Sequence, residues 1–266
     1  MILPGNNPVE LTITALTGIP EVEPGDDLAA ILLGALAENG VSLQQGDVLV
    51  VAQKIISKSE NRYRDLDEIT PSLQALELAK VTEKDPRLVE LILSESAGVV
   101  RATPGVLIVR HRNGFVMANA GIDASNLPGM QEGRIMLLLP EDADKSAKNL
   151  QMSLSNASGV PVGVVISDSF GRPWRNGVTN VAIGSAGIPS IVDKRDFADL
   201  AGRKMQVTQV AVGDLVASAA GLLMGETDEA IPAALLRGLP EQYRVVTDTD
   251  GGSQALVRPL EQDLFQ

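Results

Sequence analysis

The chain has 266 residues, 44% hydrophobic and 21% charged, with 25 Gly and 15 Pro, the profile of a folded globular protein rather than a disordered or fibrous one. Its net charge of −12 at pH 7 argues against nucleic-acid and anionic-membrane partners, which a polyanion repels. With no Cys at all, disulfides, zinc–thiolate centres and cysteine nucleophiles are excluded.

The opening MILPGNNPVELTITAL lacks the basic flank and apolar run of a secretory signal. No apolar stretch reaches the eighteen or so residues of a membrane span, so a cytoplasmic protein is expected. Residues 9–16 alternate polar and apolar, as a half-buried strand does. In EPGDDLAAILLGALAENG the apolar spacing predicts a helix capped by Asp26 or Asp27 and stopped by Gly40. Asp47–Ala52 is a buried strand, and Lys54 and Lys58 follow it. Two short helices are predicted at Pro71–Lys80 and Pro86–Ser94, each with Pro in its first turn. Between 105 and 122 an Asn113-Gly114 turn joins two apolar runs, a hairpin signal. That hairpin places His111 on a surface strand, with no role assigned. Ile135–Leu139 reads as a strand, Asp144–Ala157 as an amphipathic helix ending at Gly159, and VPVGVVISD as a buried strand entering a loop, SFGRPWRNG. Residues 207–224 read as the longest helix, and Tyr243–Thr247 as strand-like before a Gly-Gly turn at 251–252. Irregular interleaving with hairpins predicts a mixed α/β fold, with mixed and antiparallel sheets and flanking helices, rather than a doubly wound sheet.

Three carboxylates stand where strands or helices end: Asp123 in ANAGIDASN, Asp168 after VGVVIS, and Glu226 after LLMG. If they converge, they suit a hard divalent cation, Mg²⁺ or Mn²⁺, because one His and no Cys leave little for zinc. Taken singly, each is more often a turn former or helix cap. Arg172 and Arg175 flank the only Trp between Gly171 and Gly177, either a clamp for phosphate or carboxylate or a solvated turn. The usual phosphate cradles, GxxxxGK[ST] and GxGxxG, are absent, as are GxSxG and HExxH. The residues alone therefore lead to a carboxylate–metal phosphate site in a mixed α/β protein.

Several segments together resemble the coenzyme F420-0:L-glutamate ligase family. They are GIPEV at 18–22, GDVLVVAQKIISKSE at 46–60, DPRLVELILSES at 85–96, ANAGIDASN at 118–126, LLLPEDADKSA at 137–147, VGVVISDSFGRPWRNG at 162–177, VAIG at 181–184 and LLMGETDEAIPAALLRG at 222–238. The resemblance implies GTP-dependent ligation of L-glutamate to the tail carboxylate of the phosphorylated deazaflavin coenzyme F420-0, through an acyl phosphate. It further implies two divalent ions, Asp123 and Asp168 on one, Ser169 and Glu226 on the other, with K⁺ as a candidate additional ion. Gly18, Ile19, Pro20 and Glu21, then Gln53, Lys54 and Lys58, then Asn126 and Gly225, fall where the family approaches GTP. For Arg172 and Arg175, contact with the coenzyme phosphate or glutamate is a hypothesis from the residues themselves. An intertwined homodimer is implied, as is one gamma-glutamyl ligase domain over 1–266 with room for two subdomains and no fused nitroreductase domain. Asn61 stands where the family often has Gly, and Asn also accepts positive φ; Ser169 stands where many members have Thr and keeps the hydroxyl. The rival readings are the same ligation on another small carboxylate, a metal-dependent phosphohydrolase, and a non-catalytic nucleotide binder.

Overall fold

In the computed structural model the described residues are 10–123, 133–245 and 252–263. A five-stranded sheet is the centre of the fold. In chain order its strands are β1 (Thr12–Ala15), β2 (Val48–Ala52), β8 (Gly163–Arg172), β9 (Arg175–Ala186) and β12 (Ala233–Arg237). Their spatial order is β1-β12-β2-β8-β9, and only β2 and β8 run parallel. A parallel pair inside antiparallel neighbours is buried on both faces, so β2 and the first part of β8, Val164–Ile166, read as Val, Leu and Ile runs. The fold is thus mixed α/β, as the hairpin signals predict.

One face of the sheet packs Leu49, Val51, Val164 and Ile166 against helices α1 (Leu28–Glu38) and α5 (Ala143–Ser158). The opposite face packs Val48, Val50, Val165 and Ala182 against α6 (Val212–Met224). Capping fixes the helix starts. Asp27 accepts the Ala30 N–H at 3.1 Å, Asp142 the Lys145 N–H at 2.9 Å, and Gly159 ends α5 in the left-handed region. The helix predicted over 207–224 is shorter than its apolar run, because Gln209–Ala211 pairs as strand β11 with β10 (Ile191–Asp193). The longest described helix is α5.

A second group of elements stands beside this sheet. Helices α3 (Leu73–Thr82) and α4 (Pro86–Ser94) pack on a three-stranded antiparallel sheet of β4 (Ser96–Thr103), β5 (Val106–His111) and β6 (Val116–Ala118). Strand β3 (Tyr63–Asp65) pairs with β7 (Ile135–Leu137). Pro86 opens α4 as predicted, but Ser72 caps α3, so Pro71 lies outside it. Strands β4 and β12 and helix α2 (Gln53–Ser59) had no clear sequence signal. His111 is buried, not on the surface: its Nδ1 accepts the Asn113 N–H at 3.0 Å, and its Nε2 faces Glu95 at 3.8 Å. Glu95 also meets Arg62 at 3.2 Å and Arg112 at 3.0 Å, and His111 together with these two cations holds its carboxyl below the usual range despite burial. Tyr243 lies in a 3₁₀ turn rather than a strand, and the rest of that predicted segment past Val245 lies outside the described residues.

Candidate active site

Strands β2 and β8 end side by side, and their carboxyl ends open into a cavity of about 670 Å³. A crevice at the carboxyl ends of parallel strands is where α/β sheets place ligands, since the chain leaves the sheet there and exposes rigidly held side chains. Beyond β2 the chain turns directly into α2, which carries Gln53, Lys54 and Lys58 into the cavity wall. Lys58 is buried and meets Glu21 at 3.3 Å. Ser57 donates to Gln53 Oε1 at 2.8 Å, which fixes the buried amide. Ile19, Pro20 and Glu21 line the opposite wall, with Gly18 just outside it at φ +78°.

Asp123 reaches the cavity because its backbone bridges Leu137 of β7. Its carboxylate meets Lys54 Nζ at 2.6 Å. Asp168 and Ser169 come from β8, and the Ser169 N–H donates to Asp168 Oδ1 at 2.9 Å. Burial pushes the Asp168 carboxyl up to about 7, and repulsion from Asp123 and Glu226 adds to it; the Ser169 N–H and Lys54 pull the other way. Asp168 keeps part of its surface open to the cavity, although protein surrounds its carboxyl. Glu226 enters from the turn after α6, on the exposed rim.

That turn depends on glycine. Gly225 sits at φ +73°, ψ −174°, a conformation essentially closed to other residues, and a Cβ there would overlap Glu229. One turn earlier, a Cβ on Gly221 would overlap the amide of Asn180, a second cavity residue. Among the predicted residues, Ile19, Pro20, Glu21, Gln53, Lys54, Lys58, Asp123, Asp168, Ser169, Gly225 and Glu226 therefore share one cavity. Asn126 lies outside the described residues. Ser167 and Asn180 line the cavity without having been predicted; both sit in strand-like runs where a single polar residue carries no signal.

Arg172 and Arg175 are not in this wall. The predicted loop after Asp168 is the extension of the β8–β9 hairpin, closed by Pro173-Trp174, with Trp174 at φ +64°. The two arginines face each other across its tip. At about 3.3 Å per residue, Arg172 stands roughly 13 Å along the strand from Asp168.

Six carboxylates and two ammonium groups line the cavity, a surplus of negative charge that would repel a polyphosphate arriving alone. Among the described residues, no three acidic or imidazole side chains form a ready-made cation cage. The donors are instead hard oxygens spread around the wall. That set fits small divalent ions, which keep one or two protein carboxylates and complete their shells with phosphate oxygens.

An acidic, lysine-flanked cavity at strand ends has the position and the polar groups of an α/β enzyme's active site. The comparisons make that enzyme a ligase: the model of the family described as F420-0:Gamma-glutamyl ligase matches residues 18–238. A coenzyme F420:L-glutamate ligase of Methanothermobacter thermautotrophicus is 42% identical over 96% of this chain and 99% of its own. One from Methanopyrus kandleri is 46% identical over 92% of this chain and 94% of its own, and one from Archaeoglobus fulgidus 38% identical over 97% of both. The chain belongs to the F420-0:gamma-glutamyl ligase family.

Proposed function

We propose that this cavity ligates L-glutamate to the terminal carboxylate of coenzyme F420-0, and of its monoglutamyl product, at the expense of GTP. The observation that carries the reading is the meeting of Asp123, Asp168, Ser169, Glu226, Lys54 and Lys58 around one cavity, in a chain whose relatives are named for this ligation. A coenzyme carboxylate oxygen attacks the γ-phosphorus, the bond to the β-phosphate oxygen breaks, and GDP leaves. The glutamate amine then attacks the acyl carbon of the acyl phosphate; phosphate departs, and the amine loses a proton to give the amide.

Bringing a carboxylate to a triphosphate concentrates negative charge, and this chain meets that problem with two kinds of group. Lys58, buried and held by Glu21, and Lys54, held by Asp123, present fixed ammonium charge to phosphate oxygens. Asp123 and Asp168 would hold one divalent ion, and Ser169 and Glu226 a second; such ions neutralise phosphate charge and keep the attacking oxygen in line. Gln53, with its carbonyl oxygen committed to Ser57, has its amide N–H groups left to orient substrate. Arg172 and Arg175 lie too far along the hairpin to reach the reacting atoms within the described chain, so any contact they make is with a remote part of the coenzyme or with a second subunit.

A cytoplasmic homodimer forming a single domain per chain completes the proposal. Trp174, Leu200, Val207 and Leu222 are each more than four-fifths exposed, an apolar surface suited to a partner copy. No helix among the described residues is long and apolar enough to cross a membrane.

The test is a reaction of purified protein with GTP, Mg²⁺ or Mn²⁺, L-glutamate and F420-0, read by mass spectrometry. The expected product is heavier by one or more glutamyl units, and Asp168→Asn loses turnover by about a hundredfold or more while remaining folded. GTP hydrolysis indifferent to glutamate and coenzyme would make it a phosphohydrolase instead.

A further inference from the structure

We propose that Ser167 is an additional substrate-contacting residue, its hydroxyl donating a hydrogen bond to an anionic oxygen of the ligand in this cavity. The inference rests on the reading of the cavity as the ligase site. In β8 the residues before it, Val164, Val165 and Ile166, are wholly buried and apolar, and a strand in that setting is expected to stay so. Ser167 breaks the run at the point where the strand reaches the cavity wall.

Its neighbours offer it nothing. The residues level with it are Ala52 on β2 and Ala182 on β9, neither with a polar side-chain atom. Its Oγ is buried and has no hydrogen-bond partner among the described residues. A buried hydroxyl without a partner is destabilising, and alanine, as at 52 and 182, would fill the row without that cost. A β-bulge falls between Ile166 and Ser167 in the pairing with β9, the type of irregularity that re-aims side chains at functional sites. Rotation about χ1 between staggered wells re-aims the hydroxyl with no movement of the strand. The next two residues, Asp168 and Ser169, are proposed ligands of the first and second divalent ions, so an oxygen held by Ser167 lies beside the phosphoryl-transfer centre.

The experiment compares wild type with Ser167→Ala in two measurements. Calorimetric titration with GTP plus Mg²⁺, with GDP plus Mg²⁺ and with F420-0 reports binding; a thermal melt without ligand reports folding. The expected result is roughly tenfold weaker binding of at least one ligand, the loss of one charge-assisted hydrogen bond. The ligand-free variant melts at or above the wild-type temperature, because an orphaned hydroxyl has gone. A loss with GTP and GDP alike places the oxygen on the α- or β-phosphate, a loss with GTP alone on the γ-phosphate, and a loss with F420-0 alone on an anionic oxygen of the coenzyme. Wild-type affinity of the variant for all three overturns the inference, and so does a ligand-free melt several degrees lower, which would make Ser167 a packing residue. If wild type itself binds none of the three, the ligase reading of the cavity falls together with this one.

Discussion

Glycine 225 shows how a single residue shapes this site. Its φ and ψ lie where only glycine is at ease, and the turn it makes carries Glu226 into the cavity while Glu229 closes behind it. Gly225→Ala is expected to reduce stability by about 1–3 kcal/mol, a fall of a few degrees in melting temperature for a chain of this size, together with a larger loss of ligation. A melt and a rate measured on the same preparation separate the two effects. Asn61 adopts φ +54°, as a glycine there could, and Asp123, Asp168 and Glu226 line one cavity from element ends far apart in sequence. His111 is buried and not on a surface strand, because burial depends on what packs over a residue, and its local sequence does not record that.

Strand β9 is the outer edge of the central sheet, and an unpaired edge invites association with other strands. Here side chains occupy it. Ser218 donates to Asn180 O, Asp214 accepts the Ala182 N–H, Ser253 donates to Ile183 O, and Asp144 accepts the Ser185 N–H at 2.8 Å. Asp144 also accepts the N–H groups of Ser253 and Gln254, at 2.7 and 3.2 Å, so one carboxylate at the start of α5 ties the C-terminal segment to the edge. Asp144→Ala is expected to lower stability by about 3 kcal/mol, seen as a lower urea midpoint with an unchanged slope, because three backbone donors lose a charged acceptor. Periodicity predicted α5 to within a residue at each end, but the strand β9 that α5 covers begins inside the predicted loop and continues through residues 178–186, which carried no assignment. The hairpin lacks the Asn-Gly type of turn and closes on Pro173-Trp174, so it carries no local signal.

At the scale of the molecule, the exposed apolar side chains on the β8–β9 hairpin tip, on the 194–208 segment and on α6 predict the association proposed above. Sedimentation or light scattering should give about twice the chain mass of 28.0 kDa. Trp174→Asp should shift the species toward that single-chain mass, since a charge desolvated within an apolar interface is strongly unfavourable. A monomeric wild type at micromolar concentration would remove the dimer from the proposal.

The sequence by itself determined the class of fold, most helix limits, two buried strands and the acidic positions, because each depends on periodicity, capping or strand ends within a few residues. It also determined the family, since motifs in a fixed order across the chain need no coordinates to be matched. The tertiary structure alone decided that β2 and β8 lie side by side, so that Gln53, Lys54 and Lys58 face Ser167, Asp168 and Ser169 over a hundred residues away. It decided too that Arg172 and Arg175 extend away on a hairpin while Ser167 and Asn180 enter the site. Those outcomes follow from strand pairing and from which faces α5 and α6 cover, long-range choices set by burial of the whole core and not by any local run of residues.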